Sequence, residues 1–188
     1  MENEEKLVKG CRAGENSARE MLYNQFARQM MAVCYRYTGN LEDAHDVLHD
    51  GFIKAFTHFN FKGESSLSTW LTRVMMSTAV DFLRQRNKFA DIVSLDDGLE
   101  DDHLEEAAEE EQEVALIGQD LTESELLRFV AELPEGCRTI FNLHVFEEKT
   151  HKEIAQMLGI KLHSSTSQYS RAKYLLMRKI KEYTSHGK

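Results

Sequence analysis

The sequence carries one proline and ten glycines in 188 residues. A chain so poor in turn-formers favours helices over many short strands. Strand-like alternation is missing over any useful length, while apolar residues recur at helical spacing. The three cysteines (Cys11, Cys34, Cys137) stand far apart with no CxxC pair, which argues against a structural zinc or a disulfide framework. That pattern suits a reducing compartment. No apolar run approaches membrane-spanning length, and the opening MENEEKLVKG lacks the apolar centre of a signal peptide. A cytoplasmic protein without membrane insertion is expected.

Basic residues are absent from one stretch altogether. Between Asp91 and Glu125 stand fifteen Asp and Glu and no Lys or Arg. Like charges at this density repel, and too few large apolar residues remain to build a core, so 91–125 reads as an acidic linker, with room for a short helix around Glu105–Leu116. The net charge of −9 belongs largely to that segment: residues 1–90 hold twelve basic and eleven acidic residues, and 126–188 hold eleven and six. From Lys149 onward there are nine basic and two acidic residues, a cationic module. Local charge, not the total, sets the field that a phosphate backbone meets. The expected architecture is all-α, with a helical domain at 5–90, the linker, and a second helical domain at 126–186.

The second domain carries the most specific local signal. In KTHKEIAQMLGI, Thr150 and Glu153 form a capping box that starts a helix, and Gly159 suits the left-handed position that ends it. Ile154, Ala155 and Leu158 share its inner face. A Ser/Thr-rich basic helix from about Leu162 to Tyr183 follows, completing a helix-turn-helix. On that helix Ser165, Tyr169, Ala172 and Leu176 turn inward, and Thr166, Ser167, Ser170 and Arg171 turn outward as donors and acceptors for base edges and phosphates. Lys149, Lys152 and Lys173 flank them as phosphate contacts.

In the first domain DAHDVLHDGF places His45 and His49 one helical turn apart. Leu41, Ala44, Leu48, Gly51, Phe52 and Ala55 share a face suited to a core; Asp43, Asp46, Asp50 and Lys54 lie opposite, with Ile53 exposed among them. Two histidines can share an ion, but a metal site needs a third or fourth ligand, and only His58 is near in sequence. No metal site is expected. Further on, a Gly-Ser loop leads into a periodic helix ending at Arg84, Arg86 and Lys88, with Trp70 and Leu71 assigned to the core.

Taken in order, these segments resemble one family. LYNQFARQMMAVCYRYTGNLEDAHDVLHDGFIKAF and FKGESSLSTWLTRVMMSTAVDFLRQR resemble region 2 of the extracytoplasmic-function (ECF) sigma factors. LPEGCRTIFNLHVFEEKTHKEIAQMLGIKLHSSTSQYSRAK resembles their region 4. The resemblance implies a dissociable sigma subunit of bacterial RNA polymerase, with no reaction and no cofactor of its own. Region 2 would bind the clamp helices of core polymerase through Asp43, Asp46, His49, Asp50 and Ile53. It would read the −10 element through the Lys62–Ser68 loop and the next helix, using Lys62, Leu67, Arg73, Ser77, Arg84 and Arg86. Region 4 would bind the polymerase flap and read −35 duplex through Lys149, Lys152, Thr166, Ser167, Ser170, Arg171 and Lys173. An anti-sigma factor is the further partner implied, and the acidic linker would either imitate nucleic acid near the RNA exit path or stay extended by its charge. The chain departs from the family pattern at His45, His49 and Asp50 (commonly Glu, Gln and Glu), at Ser77 (commonly Asn), and at Glu148 and His163 (commonly glycines). Two other readings fit the residues alone: a stand-alone helix-turn-helix regulator, and a metal-dependent His-Asp phosphohydrolase.

Overall fold

A computed structural model describes residues 2–85 and 121–186, and all regular structure among them is helical. The chain divides into two compact units, Met1–Phe82 and Leu83–Lys188. The expected helix around Glu105–Leu116 and residues 91–120 of the expected linker lie outside the described residues.

The first unit holds α1 (Glu2–Ala13), α2 (Asn16–Thr38), α3 (Leu41–Thr57) and α4 (Leu67–Gln85), whose last turn runs past the dividing line. α2 packs along both α1 and α3. α3 begins at Asn40, whose Oδ1 accepts the Asp43 amide at 2.9 Å, satisfying one of the four amides a helix start leaves open. Its inner face is Ala44, Val47, Leu48, Gly51, Phe52 and Ala55. Leu41 departs from the sequence expectation at 63% exposed, and Val47, which that expectation left unassigned, is fully buried. Leu41 is the first residue of the helix, one turn before its buried stripe begins at Ala44. Gly51 is required by packing, because a β-carbon there would come within 2.2 Å of the Met75 sulfur on α4.

The second unit holds α5 (Glu123–Ala131), α6 (Glu135–Phe141), a π-helical turn (Asn142–Phe146) that continues α6, α7 (His151–Leu158) and α8 (Leu162–His186). α5 starts inside the stretch expected to be linker. Thr122 and Glu125 make a reciprocal capping box, a short-range signal that the acidic run hides. Phe129, Leu133, Cys137, Ile140, Leu143, Ile154, Leu158, Ala172 and Met177 form the interior. Arg138 is buried among them and donates from Nη1 to the Ala131 and Leu133 carbonyls at 3.1 and 2.7 Å. A cation placed on the last carbonyl of α5 and on one in the turn just after it satisfies groups that a helix end leaves unpaired. All three cysteines are free and buried, and burial pushes the Cys34 thiol up to about 12, far from the reactive thiolate.

Candidate nucleic-acid interface

On α3 the cap splits the expected acidic arc. Asp43 is half-exposed and also accepts from Asn40 Nδ2 at 2.6 Å, so it is a structural partner of the helix start. Asp46 and Asp50 are exposed, as are His45 and His49, and Ile53 is 49% exposed among them. Lys54 is tied at 3.0 Å to Asp81 of α4. Among the described residues no group of three His, Cys, Asp or Glu side chains is placed to hold a metal.

The loop between α3 and α4 is fastened at several points. Trp70 lies edge-on to Phe59 and Phe61, with ring centroids 5.2 and 5.8 Å away, and its Nε1 donates to Asn60 Oδ1 at 3.2 Å. This leaves Trp70 half-buried as a loop clasp, not enclosed in the core as its helical spacing suggested. Arg12 of α1 donates to the Phe61 carbonyl at 2.9 Å. Ser66 caps α4 by accepting the Thr69 amide at 3.0 Å. Leu67 corrects a sequence expectation: at 1% exposure it anchors the start of α4 in the core and has no surface to offer a base. A cavity of about 480 Å³ opens instead between α1 and the loop, lined by Val8, Arg12, Phe61, Lys62, Ser65 and Ser66 among others.

Along α4, Thr69, Arg73, Ser77 and Arg84 are all exposed. Their spacing of four, four and seven residues puts them on one stripe of the helix, with a hydroxyl at each of two positions and a guanidinium at the others. Thr69 was not among the expected residues; its place one turn before Arg73 is the signal. Lys62 is exposed on the loop, while Arg86 and Lys88 lie outside the described residues.

In the second unit the helix-turn-helix forms as its caps require. Thr150 and Glu153 make the reciprocal capping box, and Gly159 takes φ 69° and ψ 32°, the left-handed conformation open to a residue without a β-carbon. Hydrogen bonding to Thr150 holds the Glu153 carboxyl below the usual range. Thr166 is exposed and donates its hydroxyl proton to the His163 carbonyl at 2.8 Å, so it faces solvent as an acceptor. Ser167 and Ser170 are half-exposed, Lys152 is exposed, and Lys149 and Lys173 are half-exposed. Arg171 departs from the outward position expected: it is half-buried and its Nη1 is inaccessible to solvent.

The inner face of α8 holds Ser165 and Ala172 buried, as expected, and extends further than the wheel gave. Ser164, Ser165 and Gln168 are buried, and Gln168 Oε1 accepts from Cys137 Sγ at 3.0 Å. Tyr169 is half-buried against His144 and His151, a contact no local pattern announces. Glu148, at φ 53°, is the only non-glycine residue with positive φ among the described residues, at a position where the resemblance leads one to expect glycine.

Comparison with known proteins places both units. The family model "Sigma-70 region 2" matches residues 22–89, and "Sigma-70, region 4" matches residues 123–176. Among similar proteins, the RNA polymerase sigma-H factor of Pseudomonas aeruginosa is 27% identical over 177 residues, covering 92% of this chain and 91% of the relative. The ECF RNA polymerase sigma-E factor of Haemophilus influenzae is 28% identical over 184 residues, covering 93% of each. The RNA polymerase sigma factor YlaC of Bacillus subtilis is 28% identical over 156 residues, covering 82% of this chain and 87% of the relative.

Proposed function

The chain belongs to the ECF branch of the sigma-70 family and is a sigma subunit that directs RNA polymerase to promoters for transcription initiation, and from that premise we propose how its residues divide the work. The outer face of α3, with Asp46, His49, Asp50 and Ile53, docks on the clamp helices of core polymerase, and Asp43 fixes where that face begins. Charges around an exposed apolar residue suit a surface that must dissociate as well as bind. Arg73, Ser77 and Arg84, with Lys62 and Arg86, take the separated −10 strand. Guanidiniums hold its phosphates and hydroxyls meet unstacked bases. Leu67 serves this reading only by anchoring the helix.

The helix-turn-helix reads −35 duplex. Thr166, Ser167 and Ser170 meet base edges, Arg171 contributes through the part of its guanidinium that is not enclosed, and Lys149, Lys152 and Lys173 meet phosphates. The single observation that carries this assignment is the doubly capped α7–Gly159–α8 unit, with Thr166 presented one turn into α8. The polymerase flap and an anti-sigma factor are the remaining partners we assign, in the cytoplasm. The chain performs no reaction of its own. No helix among the described residues is long and apolar enough to cross a membrane.

Transcription in vitro from fragmented genomic DNA of the source organism, with core polymerase and the full chain, tests the reading. Defined transcripts that require the chain are expected. Sequence-selective DNA binding by the chain alone, with no transcripts and no association with core polymerase, would indicate a stand-alone regulator.

A further inference from the structure

A ring cluster in the second unit uses residues that promoter reading leaves unexplained. The His144 and His151 rings stack at 4.4 Å between centroids and 19° between planes. Tyr169 stands edge-on to His144 at 4.6 Å and tilted on His151 at 5.4 Å. Phe141 stacks on Tyr169, with ring centroids 6.1 Å apart. Each imidazole is also oriented by its Nδ1. His144 Nδ1 is 2.8 Å from the Lys149 carbonyl, and since a carbonyl only accepts, His144 donates there. His151 Nδ1 is 3.0 Å from Ser165 Oγ, a fully buried hydroxyl on α8. The cluster therefore joins the π turn, the first residue of α7 and the first two turns of α8.

We propose that His144 and His151 are positioning residues that hold the reading helix α8 at its working angle, and that protonation of His151 loosens this hold and lowers discrimination among promoter sequences. The proposal rests on the reading of the helix-turn-helix as a duplex reader. Neutral rings stack face to face without repulsion, whereas two imidazoliums at this distance repel. A neutral His151 can accept the Ser165 proton, and a protonated one can only donate, so the hydroxyl must turn round. The surroundings do little to welcome a cation. The turn contributes Glu147, Glu148 and Lys149, and α7 contributes Lys152 and Glu153, the last committed to its cap with Thr150. From α8 come Arg171 and Lys173, with Lys173 Nζ 5.6 Å from the Tyr169 ring centre. Arg138 of α6 is occupied by carbonyls. Burial first, and His144 second, hold the His151 imidazole below its ordinary range. His151 is therefore neutral in the resting state at neutral pH, and acidification supplies the switch.

The test uses the full-length chain. A duplex is selected by it from a random-sequence pool at about pH 7.5, and its affinity relative to a shuffled duplex is measured there and at about pH 5.5. Taking the ratio removes the general gain in DNA attraction that comes with a more positive chain. The ratio is expected to fall about threefold to fivefold between these two pH values, because a one-unit difference in His151 pKa between bound and free protein reaches its full tenfold effect only below both values. In the double variant His144→Asn/His151→Asn the side-chain amide replaces each Nδ1 hydrogen bond without titrating. Its ratio should be the same at both pH values. A wild-type ratio that does not move, or a double variant that falls as steeply, overturns the proposal. If the double variant does not fold, the His151 ring titration followed by NMR in the wild-type chain decides: DNA should lower its midpoint, and an unchanged midpoint overturns the proposal. Failure to select any duplex at about pH 7.5 sinks the duplex-reading assignment, and this inference with it.

Discussion

Gly51 on α3 and Met75 on α4 are in contact so close that a β-carbon at Gly51 would overlap the Met75 sulfur. Met75 is itself fully buried, so the thioether has little room to retreat. Overpacking a closed core costs about 1–3 kcal/mol. Alanine in place of glycine in a helix returns about 1 kcal/mol. Gly51→Ala should therefore lower stability by about 1 kcal/mol, read from the urea midpoint. Met75→Ala alone should cost about 2–5 kcal/mol. The pair together should cost clearly less than the sum, because each change relieves the other. Additive costs would mean that the two helices are not pressed together here.

Asp43 and Asp46 are three residues apart on α3 and should respond in opposite ways. Asp43→Ala keeps the backbone amide that Asn40 Oδ1 accepts but loses the bond from Asn40 Nδ2 and a carboxylate in the first turn, and should cost about 0.5–1 kcal/mol in thermal or urea unfolding. Asp46→Arg removes no hydrogen bond or packing that the structure records, so its melting and circular dichroism should be unchanged. On the docking surface assigned above, the same reversal places like charges together and should abolish pull-down of core polymerase. Retention of polymerase by Asp46→Arg would move that surface elsewhere.

Glu148 holds a backbone conformation that strains any residue bearing a β-carbon. Glu148→Gly should raise stability by about 1 kcal/mol, net of the extra freedom glycine gives the unfolded chain. Glu148→Val should lower it, since a β-branched side chain tolerates positive φ worst. A melting temperature that falls for the glycine variant would mean that the Glu148 side chain supplies a compensating contact.

Hydrogen bonds from Thr122 and then from Tyr183 bring the Glu125 carboxyl down to about 2. Its unfolded value is the ordinary carboxylate one, so between the two the unfolded chain binds more protons. Whatever stability the contact provides is present above the ordinary carboxylate range and is lost as pH falls through about 2. NMR titration of the Glu125 carboxyl carbon should show the low midpoint, and Tyr183→Phe should move it upward. A midpoint in the ordinary range for the wild-type chain would show that Tyr183 of α8 does not close over α5 in solution.

The parts of the fold legible in the sequence are those decided within one or two turns. Thr150, Glu153 and Gly159 contain all that is needed to start and stop α7, so its bounds could be read directly. Most of the buried stripe of α3 followed from helical period alone. Arg171 was misplaced because a wheel gives direction relative to the helix axis, and Leu67 because a resemblance gives position in the chain; burial depends on what is packed beside each. The His144–His151–Tyr169 cluster was invisible for a different reason. His144 sits in a π turn, whose wider pitch changes which side chains face α7 and α8, and no residue type in NLHVF signals that pitch. The capping box at Thr122 was legible in principle, but the acidic composition around it argued for linker.

The cap at Thr122 also decides where the chain can be cut. A fragment starting at residue 126 would open inside α5, with raw amides at its first turn and no Glu125 for Tyr183 to grip. The Arg138 side chain would then be holding the far end of a helix whose near end frays. The shortest C-terminal piece that keeps α5 to α8 whole begins at Thr122, so a protease trimming the acidic segment should stall there and not at the last acidic residue.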